Sequence, residues 1–346
     1  MKTLRRPVVA WIILLSLLFS QQAYAVTEID GAGATSPLPI LKLWAASYES
    51  NHPVKIHYKA AGSAEGIKSI TARTVDFAIT DIGLTRSELS QDDLLQFPLL
   101  AYGITPVLNL PQVQSGGMKL TGEVLADIFM GKITYWDDAR IQSMNPTIAL
   151  GHLPIKVIHR KDGSGTTFAF TNYLSKVSLD WEQSLGMGST LNWPVGTAQI
   201  GNEGVAKSVS EVEGAIAYVE YLYAERFKLA TISLKNKDGY FVTPSPTSFG
   251  QAFQQASWKR DSYYESLTNL PGTNSWPIVA ISYVLIHRSS DDYAETKQTL
   301  DFLDWIYSSA KNQNDGYISI TDPALIQRIK ASWREIKDSK GNAVLK

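Results

Sequence analysis

The sequence predicts an α/β protein of two domains that are joined by two crossing strands. A strand, a turn of small residues and the start of a helix follow one another several times along the chain, which is the pattern of an open α/β sheet. Two long apolar runs, residues 97–110 and 274–287, each contain a proline, and we interpret them as strands that leave the first domain and return to it. The crossings predict a first domain of residues 26–105 plus 280–346 and a second domain of residues 106–279.

The first 25 residues are predicted to be a secretory signal peptide. Residues 2–6 form a basic start, residues 7–20 are almost all apolar, and residues 23–25, Ala-Tyr-Ala, form a small-x-small cleavage site. The apolar run is shorter than the about 20 residues that a membrane-spanning helix needs. We therefore expect cleavage after Ala25 and export of the mature chain, with an uncleaved anchor as the alternative.

Composition excludes several classes of protein. The chain has 32 basic and 33 acidic residues, and three of the basic residues lie in the predicted signal peptide, so the mature chain carries a formal charge of −4. This balance argues against binding to nucleic acid or to an anionic membrane surface. The sequence has no cysteine, which excludes disulfides and a lipid-modified cysteine anchor. An anion site must therefore use local dipoles and individual groups rather than a broad positive field.

Two strand–turn–helix units are predicted near the start of the mature chain. Residues 27–36 form a short strand and a Gly-rich turn, and Pro37 and Pro39 suit the first turn of the helix that follows. Residues 54–58 alternate as a strand does, and the small residues of 60–66 open a second helix. Each unit presents a helix N-terminus after a turn without bulky side chains.

Asp81 ends a short buried strand predicted at residues 75–81. Open α/β sheets bind ligands at the carboxyl ends of their strands, so this carboxylate is a candidate ligand contact. A role as a helix cap or turn residue is the alternative. Residues 31–36 read G-x-G-x-x-S, which departs from the dinucleotide-binding pattern G-x-G-x-x-G, so nucleotide binding is not expected.

The stretch HRKDGSGTTFAF, residues 159–170, is the most informative part of the chain. Apolar residues at helical spacing follow it, so Asp162 or Ser164 is predicted to cap a helix. The helix N-terminus offers unpaired N–H groups and the positive end of the dipole, and small residues let an anion approach them. Arg160 can add two hydrogen bonds to an oxyanion. The motif therefore favours an oxyanion site, and an ordinary capped helix after a Gly turn is the alternative.

The remaining elements follow from the same patterns. We predict a short helix at 121–130, a turn anchored by Trp136 at 131–138, a strand at 153–158, a helix, a turn, a strand and a helical patch within 196–224, a loop at 243–249 and helical structure over 292–335.

No catalytic motif is present in the sequence. None of the five His residues lies in H-E-x-x-H, and neither a G-x-S-x-G elbow nor a G-x-x-x-x-G-K-[ST] loop occurs. Asp81 and Asp162 are possible partners for acid–base chemistry, but nothing supplies a nucleophile or a metal. A sugar-stacking site built from the nine Trp and sixteen Tyr residues is a rival, but these residues are scattered. We therefore expect no catalytic residue, no metal and no cofactor.

Six segments in a fixed order resemble one known family. They are GAGAT (31–35), VDFAITD (75–81), GKITYWDD (131–138), R-x-D-G-S-G-T (160–166), GAIAYVEY (214–221) and SWPI with LIH (275–287). Together they resemble the periplasmic phosphate-binding proteins of the bacterial ABC-type phosphate importer, over about residues 29–340. The resemblance implies a type II periplasmic binding protein fold, with phosphate held in a cleft between the two domains.

The resemblance also implies a set of ligand contacts. Thr35 would bind through its hydroxyl and backbone, Ser36 through its backbone, and Asp81 as the acceptor carboxylate. Arg160 would be the single cationic ligand, and Asp162 would pair with it from behind. The full set of phosphate-binding residues that it implies is Ala34, Thr35, Ser36, Ser63, Asp81, Arg160, Ser164, Gly165 and Thr166. The implied partners are inorganic phosphate and the inner-membrane ABC permease, with no nucleic acid and a monomeric receptor.

The sequence departs from the family pattern in two places, at position 36 and within the run 62–66. Ser36 stands where many members have Phe, but the contact there is made by the backbone. The family run Gly-Ser-Ser-Gly-Gly is Gly-Ser-Ala-Glu-Gly at residues 62–66, so Ser63 is kept while Ala64 removes a hydroxyl. Glu65 adds a negative charge that would repel an anion if it pointed inward.

Phosphate chemistry gives Asp81 a specific role. Phosphate keeps a proton at neutral pH, and an ionised carboxylate only accepts hydrogen bonds, so Asp81 can accept the P–OH proton. Sulfate has no such proton and would leave this acceptor unsatisfied beside an anion. The sequence therefore predicts a phosphate receptor. A receptor for another tetrahedral oxyanion, or a secreted phosphatase-like or adhesion protein on this scaffold, are the alternatives.

Overall fold

The structure is a computed structural model that describes residues 26–258, 262–309 and 316–345. The predicted signal peptide, residues 1–25, lies outside the described residues.

Strands and helices alternate along much of the described chain. The strands are β1 (Thr27–Gly33), β2 (Val54–Ala60), β3 (Phe77–Thr80), β4 (Leu94–Leu108), β5 (Met118–Leu120), β6 (Lys156–Arg160), β7 (Thr197–Gln199), β8 (Ala215–Glu220), β9 (Ala230–Lys235), β10 (Phe241–Val242), β11 (Leu267–Thr268), β12 (Ile278–His287) and β13 (Tyr317–Ser319). The helices are α1 (Leu38–Glu49), α2 (Ser63–Thr71), α3 (Arg86–Gln91), α4 (Gly122–Phe129), α5 (Ala139–Met144), α6 (Gly165–Val177), α7 (Leu179–Ser184), α8 (Gly201–Glu211), α9 (Tyr221–Arg226), α10 (Pro246–Phe253), α11 (Tyr293–Ser309), α12 (Pro323–Ser332) and the 3-10 turn Trp333–Glu335.

The first sheet has the order β2-β1-β3-β12-β4. β1 is parallel to both of its neighbours, β2 and β3, and β12 is antiparallel to β3 and β4. Because β1, β2 and β3 run in the same direction, their carboxyl ends meet at one edge of the sheet. The turns after β1, β2 and β3 carry Thr35, Ser63 and Asp81 to that edge.

β4 connects the two domains, as the apolar run at 97–110 predicted. Its residues up to Gly103 pair with β12, and its residues from Ile104 pair with β8 of the second sheet. All fifteen residues of β4 are buried, which explains why the sequence shows an uninterrupted apolar run there. The pairing partner of β4 changes from β12 to β8 close to the domain boundary predicted at 105/106. The predicted boundaries at 105/106 and 279/280 themselves stay predictions.

The second sheet continues from β4 to β8, β6 and β7. β6 is parallel to both β8 and β7, and β9 pairs antiparallel with β4 and parallel with β5. β6 delivers Arg160 to its carboxyl end, and β7 ends just before α8. The carboxyl edge of the second sheet therefore carries the motif at residues 160–166 and the N-terminus of α8.

The second long apolar run, residues 274–287, returns the chain to the first sheet. Trp276 is fully buried and donates its indole N–H to the carbonyl of Ile104, at 2.9 Å. That contact fixes the returning segment against the point where β4 changes partners. The regular strand β12 then lies wholly in the first sheet, from Ile278 onward.

One prediction for the C-terminal region is corrected. Residues 292–335 were predicted to be helical, but Tyr317–Ser319 form the short strand β13 on β4. A three-residue strand is too short to show an alternating pattern in the sequence. Its pairing depends on the side of β4 that lies opposite β12. The Tyr317 hydroxyl donates to the carbonyl of Ser36 at 2.6 Å, which links β13 to the site described below.

In the described part of the chain, no helix is long and apolar enough to cross a membrane. The same residues hold no group of three or more His, Cys, Asp or Glu side chains that is arranged for a metal ion.

Candidate functional site

Four helix N-termini converge between the two sheets. α1 and α2 belong to the first sheet, and α6 and α8 belong to the second. The Gly165 N–H of α6 donates to the Ser63 Oγ of α2 at 3.2 Å, and the Asn202 side chain of α8 donates to the Thr35 Oγ1 before α1 at 3.1 Å. Each N-terminus carries unpaired N–H groups and a partial positive charge. Such a convergence is suited to binding an anion without a broad field of charged residues.

The start of α6 is capped by Ser164 rather than by Asp162. The Ser164 Oγ accepts a hydrogen bond from the Thr167 N–H at 3.2 Å, and the Ser164 N–H donates to the Ser189 carbonyl at 3.0 Å. Further along the helix, Phe170, Tyr173 and Leu174 are completely buried, which confirms the predicted apolar face. The helix is therefore held in the core while its first turn faces the cleft.

Arg160 and Asp162 form the buried ion pair that the sequence predicted. The Arg160 Nε donates to the Asp162 Oδ1 at 2.8 Å, and its Nη2 donates to Oδ2. Burial alone would raise the pKa of Asp162, but the hydrogen bonds and charge of Arg160 outweigh burial and hold that pKa below its ordinary value. The Asp162 carboxylate is thus ionised at neutral pH and offsets most of the guanidinium charge.

The third guanidinium nitrogen of Arg160 has a different environment. Its Nη1 has no hydrogen-bond partner among the described residues. Because the Arg160 side chain is only 1% exposed, solvent does not reach this nitrogen either. A buried N–H donor without a partner costs about 1–3 kcal/mol. An oxyanion in the cleft would satisfy this donor. Asp162, on the opposite fork of the guanidinium, fixes the direction in which Nη1 points.

Asp81 is surrounded by hydroxyl groups of the first domain. The Ser282 Oγ donates to Oδ1 at 2.6 Å, and the Ser36 Oγ donates to Oδ2 at 2.6 Å. Burial raises the pKa of Asp81 above its ordinary value, whereas the hydrogen bonds from Ser282 and Ser36 and the charge of Arg160 oppose that rise. The carboxyl group is therefore held as an acceptor that has a raised affinity for a proton.

The two sides of the cleft are in direct contact. The Ala64 N–H donates to the Gly163 carbonyl at 3.2 Å, and the Tyr223 hydroxyl of the second domain donates to the Thr35 carbonyl at 2.9 Å. A side chain at Gly165 would place its Cβ 2.2 Å from the Asp81 Cβ. Only glycine permits this approach. The structure thus shows the closed arrangement of the two domains.

Comparison with known proteins matches this arrangement to one family. Residues 20–310 match the model of the PBP superfamily domain. The phosphate-binding protein PstS of Pasteurella multocida is 43% identical over 339 residues, which cover 96% of this chain and 98% of that protein. The chain belongs to the PBP superfamily and to its PstS family.

Solved structures support the fold of this PstS-family chain. A high-affinity periplasmic phosphate-binding protein, PfluDING, solved with phosphate bound, is 20% identical and covers 89% of this chain and 94% of its own, with a TM-score of 0.69. An ABC-type phosphate transport receptor from Vibrio cholerae is 22% identical and covers 85% of this chain and all of its own, with a TM-score of 0.55. The two-domain binding-protein fold that the sequence predicted is confirmed.

The residues that the family resemblance assigned to the site come together, and the backbone N–H groups of Ala34 and Gly165 already have partners within the protein. The Ala34 N–H donates to the Ile79 carbonyl at 2.7 Å, so this N–H is used within the first sheet and Ala34 supplies no free donor. The structure brings the other predicted residues to the facing edges of the two sheets. They are Thr35, Ser36, Ser63, Asp81, Arg160, Ser164, Gly165 and Thr166.

Within the run 62–66, the departures at Ala64 and Glu65 do not point a side chain at the bound anion. The Glu65 side chain is 41% exposed and lies 3.8 Å from the Lys68 ammonium, so it points to solvent. Ala64 lies against Gly163, where a Cβ on Gly163 would be 2.4 Å from the Ala64 Cβ. Position 64 therefore sets how closely the two domains approach, and the charge of Glu65 does not oppose an anion in the cleft.

Sequence reasoning missed three residues of this site, because each comes from a distant part of the chain. Ser282 is the one serine within the mostly apolar strand β12, Asn202 lies in the first turn of α8, and Glu220 ends β8. Ser282 carries a usable signal, since a small polar residue inside a mostly apolar strand needs a buried partner. Asn202 also carries one, since Gly201 and Asn202 repeat the pattern of a strand, a small-residue turn and a helix.

Glu220 is a buried acid at the back of the cleft. Its Oε1 caps α9 by accepting from the Leu222 N–H at 3.0 Å, and its Oε2 has no hydrogen-bond partner among the described residues. Burial and, to a smaller extent, the charge of Asp81 raise the pKa of Glu220 well above its ordinary value, against the opposing hydrogen bonds of the Leu222 and Tyr223 N–H groups. Glu220 is therefore favoured in the neutral form.

Two of the histidines, His159 and His287, make structural contacts. The His287 Nε2 lies 2.7 Å from the Ile70 carbonyl, and His159 stacks on Trp193 with ring centroids 4.9 Å apart. Burial lowers the pKa of His159, which keeps the ring neutral. Neither residue is needed to explain the site.

Proposed function

We propose that the protein binds inorganic phosphate between its two domains and delivers it to an ABC-type phosphate import permease. The observation that carries this proposal is the buried Nη1 of Arg160, which has no partner among the described residues. This donor lies beside the N-termini of helices from both domains. An oxyanion is the ligand that satisfies such donors. The relatives named as phosphate-binding proteins support the choice of phosphate.

Asp81 supports phosphate over sulfate. A ligand that donates one hydrogen bond and accepts many fits a pocket with a single carboxylate among N–H and hydroxyl donors. Monohydrogen phosphate is such a ligand, and sulfate is not. A sulfate oxygen that faced Asp81 would donate no hydrogen bond to the carboxylate and would place a second negative charge beside it in a buried site. The cost would be about 1–3 kcal/mol or more. The pocket therefore selects by a repulsive element as well as by attraction.

Local dipoles supply most of the attraction. Asp162 is ionised beside Arg160, so the pair is close to neutral, and Asp81 adds a negative group. The remaining favourable terms are the helix N-termini and the hydroxyl groups around the cleft. Arg160 chiefly orients the ligand, and the first turn of α6 holds it. This explains how a chain with no net positive charge can bind a dianion.

Transport is the role that fits a closed two-domain receptor without catalytic groups. We infer that the chain is exported by its signal peptide, is cleaved after Ala25 and acts in the periplasm as a monomer. The closed form buries the ligand, so release requires the domains to separate. Separation on the permease would then deliver phosphate to the membrane.

Calorimetric titration of ligand-stripped protein tests the proposal. Bound ligand is removed by unfolding in denaturant, dialysis and refolding, and the protein is then titrated with phosphate, arsenate and sulfate at pH 7. We expect one tight site for phosphate and no heat with sulfate at millimolar concentration. Preferential binding of another oxyanion would redirect the proposal to a different ligand on the same fold. Turnover of a phosphate ester, lost on Ser164→Ala, would replace it with an enzyme.

A further inference from the structure

Asn202 is a fully buried side chain that contacts both domains at once. Its Nδ2 donates to the Thr35 Oγ1 at 3.1 Å and to the Thr166 Oγ1 at 3.5 Å. Its Oδ1 accepts from the Glu220 N–H at 3.2 Å. Thr35 belongs to the first sheet, whereas Thr166 and Asn202 belong to the second. The Asn202 amide therefore joins two site hydroxyls that come from opposite sides of the cleft.

The orientation of this amide is fixed by its surroundings. A backbone N–H can only donate, so the atom that faces the Glu220 N–H must be the amide oxygen. The NH₂ group then necessarily faces the two threonine hydroxyls. No other assignment of the amide satisfies all three contacts.

The direction of the hydroxyl protons follows from the amide orientation. A hydroxyl has one proton and two lone pairs, and both Thr35 and Thr166 use a lone pair to accept from Asn202. Among the described residues, neither hydroxyl has another hydrogen-bond partner. Each proton is therefore available to a ligand, and the bond from the amide polarises the hydroxyl into a better donor.

We propose that Asn202 is a positioning residue, which fixes the hydroxyls of Thr35 and Thr166 as donors towards a bound oxyanion and reaches Thr35 only when the domains are closed. The proposal rests on the proposed oxyanion-binding function and adds a mechanism to it. Asp81 and Asn202 then have opposite effects. Asp81 takes the protons of Ser36 and Ser282, and Asn202 leaves the protons of Thr35 and Thr166 for the ligand. One cleft thus contains a fixed acceptor and a set of fixed donors.

Two substitutions at position 202 test this mechanism. Asn202→Asp keeps the shape but replaces the NH₂ donor with an acceptor, so both threonine protons turn towards the carboxylate and away from the ligand. We expect Asn202→Asp to lower phosphate affinity by about 100-fold or more and Asn202→Ala by about tenfold. Asn145 is the matched control, because it is a buried asparagine of the second domain whose side chain, among the described residues, bonds only to backbone groups of Lys119 and Ile141. Asn145→Asp and Asn145→Ala should lower the melting temperature and leave the affinity within about threefold.

A double-mutant cycle separates positioning from simple loss of structure. If Asn202 acts through the two hydroxyls, Asn202→Ala should cost little further affinity in a Thr35→Val/Thr166→Val background. Circular dichroism establishes whether each variant is folded. If Asn202→Ala does not fold, Asn202→Asp takes its place in the test. Affinities within about threefold of wild type for both position-202 variants would overturn the proposal, as would an undiminished effect of Asn202→Ala in the valine background. Failure of the proposed function is distinguishable, because it would appear as no phosphate binding by the wild-type protein.

Discussion

The Gly165 N–H of the second domain donates to the Ser63 Oγ of the first domain, with 3.2 Å between nitrogen and oxygen. The same Oγ accepts from the Asp81 N–H at 3.1 Å, so both of its lone pairs are used and its proton faces the Asp81 carboxylate, 3.5 Å away. One serine hydroxyl therefore connects a helix N-terminus of one domain to the acceptor carboxylate of the other. Closure of the cleft and the organisation of Asp81 are coupled through this group.

A side chain at position 165 should prevent that closure. The Cβ of alanine would lie 2.2 Å from the Asp81 Cβ and 2.8 Å from the Ser63 Oγ. We expect Gly165→Ala to lower phosphate affinity by about 100-fold or more, because the clash exists only in the closed form. Small-angle scattering should show that the variant stays open at a phosphate concentration that saturates the wild-type protein.

Gly250→Ala is the control for the substitution of a helical glycine. Gly250 lies in α10, where the nearest atom to an added Cβ would be the Ile318 Cδ1 at 4.0 Å. This variant should bind phosphate normally and should be slightly more stable, by about 0.5–1 kcal/mol. Normal closure by Gly165→Ala would contradict the role assigned to this contact.

Replacing Asp81 should relax the exclusion of sulfate. Asp81→Asn keeps the shape, but the amide can donate to a fully ionised oxygen. We expect phosphate affinity to fall and sulfate affinity to rise by about tenfold or more, which competition titrations with both anions would measure. Asp76→Asn changes a carboxylate of the first domain outside the cleft, which accepts from the Asp30 N–H at 2.7 Å, and should leave selectivity unchanged. Unaltered selectivity in Asp81→Asn would refute the proton-accepting role.

Glu220 should make the unliganded protein less stable as pH rises. Its pKa in the folded protein is raised, so its favourable contribution is fully present below the unfolded pKa of about 4.3 and is lost as pH rises through the folded pKa. Glu220→Gln stays neutral at every pH. We therefore expect the stability difference between the variant and wild type to shift in favour of the variant from pH 4.5 upward, measured by urea unfolding without phosphate.

The exposed residue Glu213 provides the comparison for Glu220. Glu213→Gln makes the same substitution at an exposed position of the second domain and should give a difference from wild type that hardly changes with pH. A Glu220→Gln difference that is equally independent of pH would show that Glu220 is ionised in the folded protein.

The Arg160–Asp162 pair should contribute strongly to the stability of the unliganded protein. Asp162→Asn leaves a buried guanidinium without its counter-charge, which costs about 3–5 kcal/mol. The folded pKa of Asp162 is lowered, so the contribution of the pair is present above the unfolded pKa of about 3.9 and is lost as pH falls through the folded pKa. The destabilisation caused by Asp162→Asn should therefore be largest near neutral pH and should shrink in acid.

An exposed ion pair gives the scale for that effect. Lys297 and Asp301 are 2.6 Å apart on the surface of α11, where their side chains are 41% and 35% exposed. Asp301→Asn should cost no more than about 0.5 kcal/mol. Phosphate should restore much of the stability lost in Asp162→Asn, since a dianion replaces the missing charge. A loss no greater than that of Asp301→Asn would mean that the buried pair does not hold the guanidinium.

The sequence predicted those parts of the site that depend on local pattern. Ser164 caps α6 and Arg160 precedes it because both lie within one short motif, and Asp81 ends a short apolar strand. Family resemblance then joined these separate segments into one site. The crossing between the two domains was also predictable, because β4 is buried along its whole length and a strand buried on both faces needs the long apolar run that the sequence shows at residues 97–110.

Residues that depend on register could not be predicted. Ser282 reaches Asp81 across 201 positions of sequence because β12 lies between β3 and β4. The register of β12 on β4 shifts between Ser282 and Tyr283, opposite Leu100 and Pro98. Proline cannot donate to the ladder, which suits such an irregularity. Single-residue shifts decide which side chain faces the cleft, and no local pattern encodes them.

A crystal structure of the protein grown with phosphate in a sulfate-containing solution tests the central claim most directly. We predict a phosphate ion between the domains, with one oxygen within hydrogen-bond distance of the Arg160 Nη1 and another facing the Asp81 carboxylate. The threonine hydroxyls of positions 35 and 166 should contact the remaining oxygens. Sulfate in that position, or phosphate bound elsewhere with the cleft unoccupied, would contradict the account.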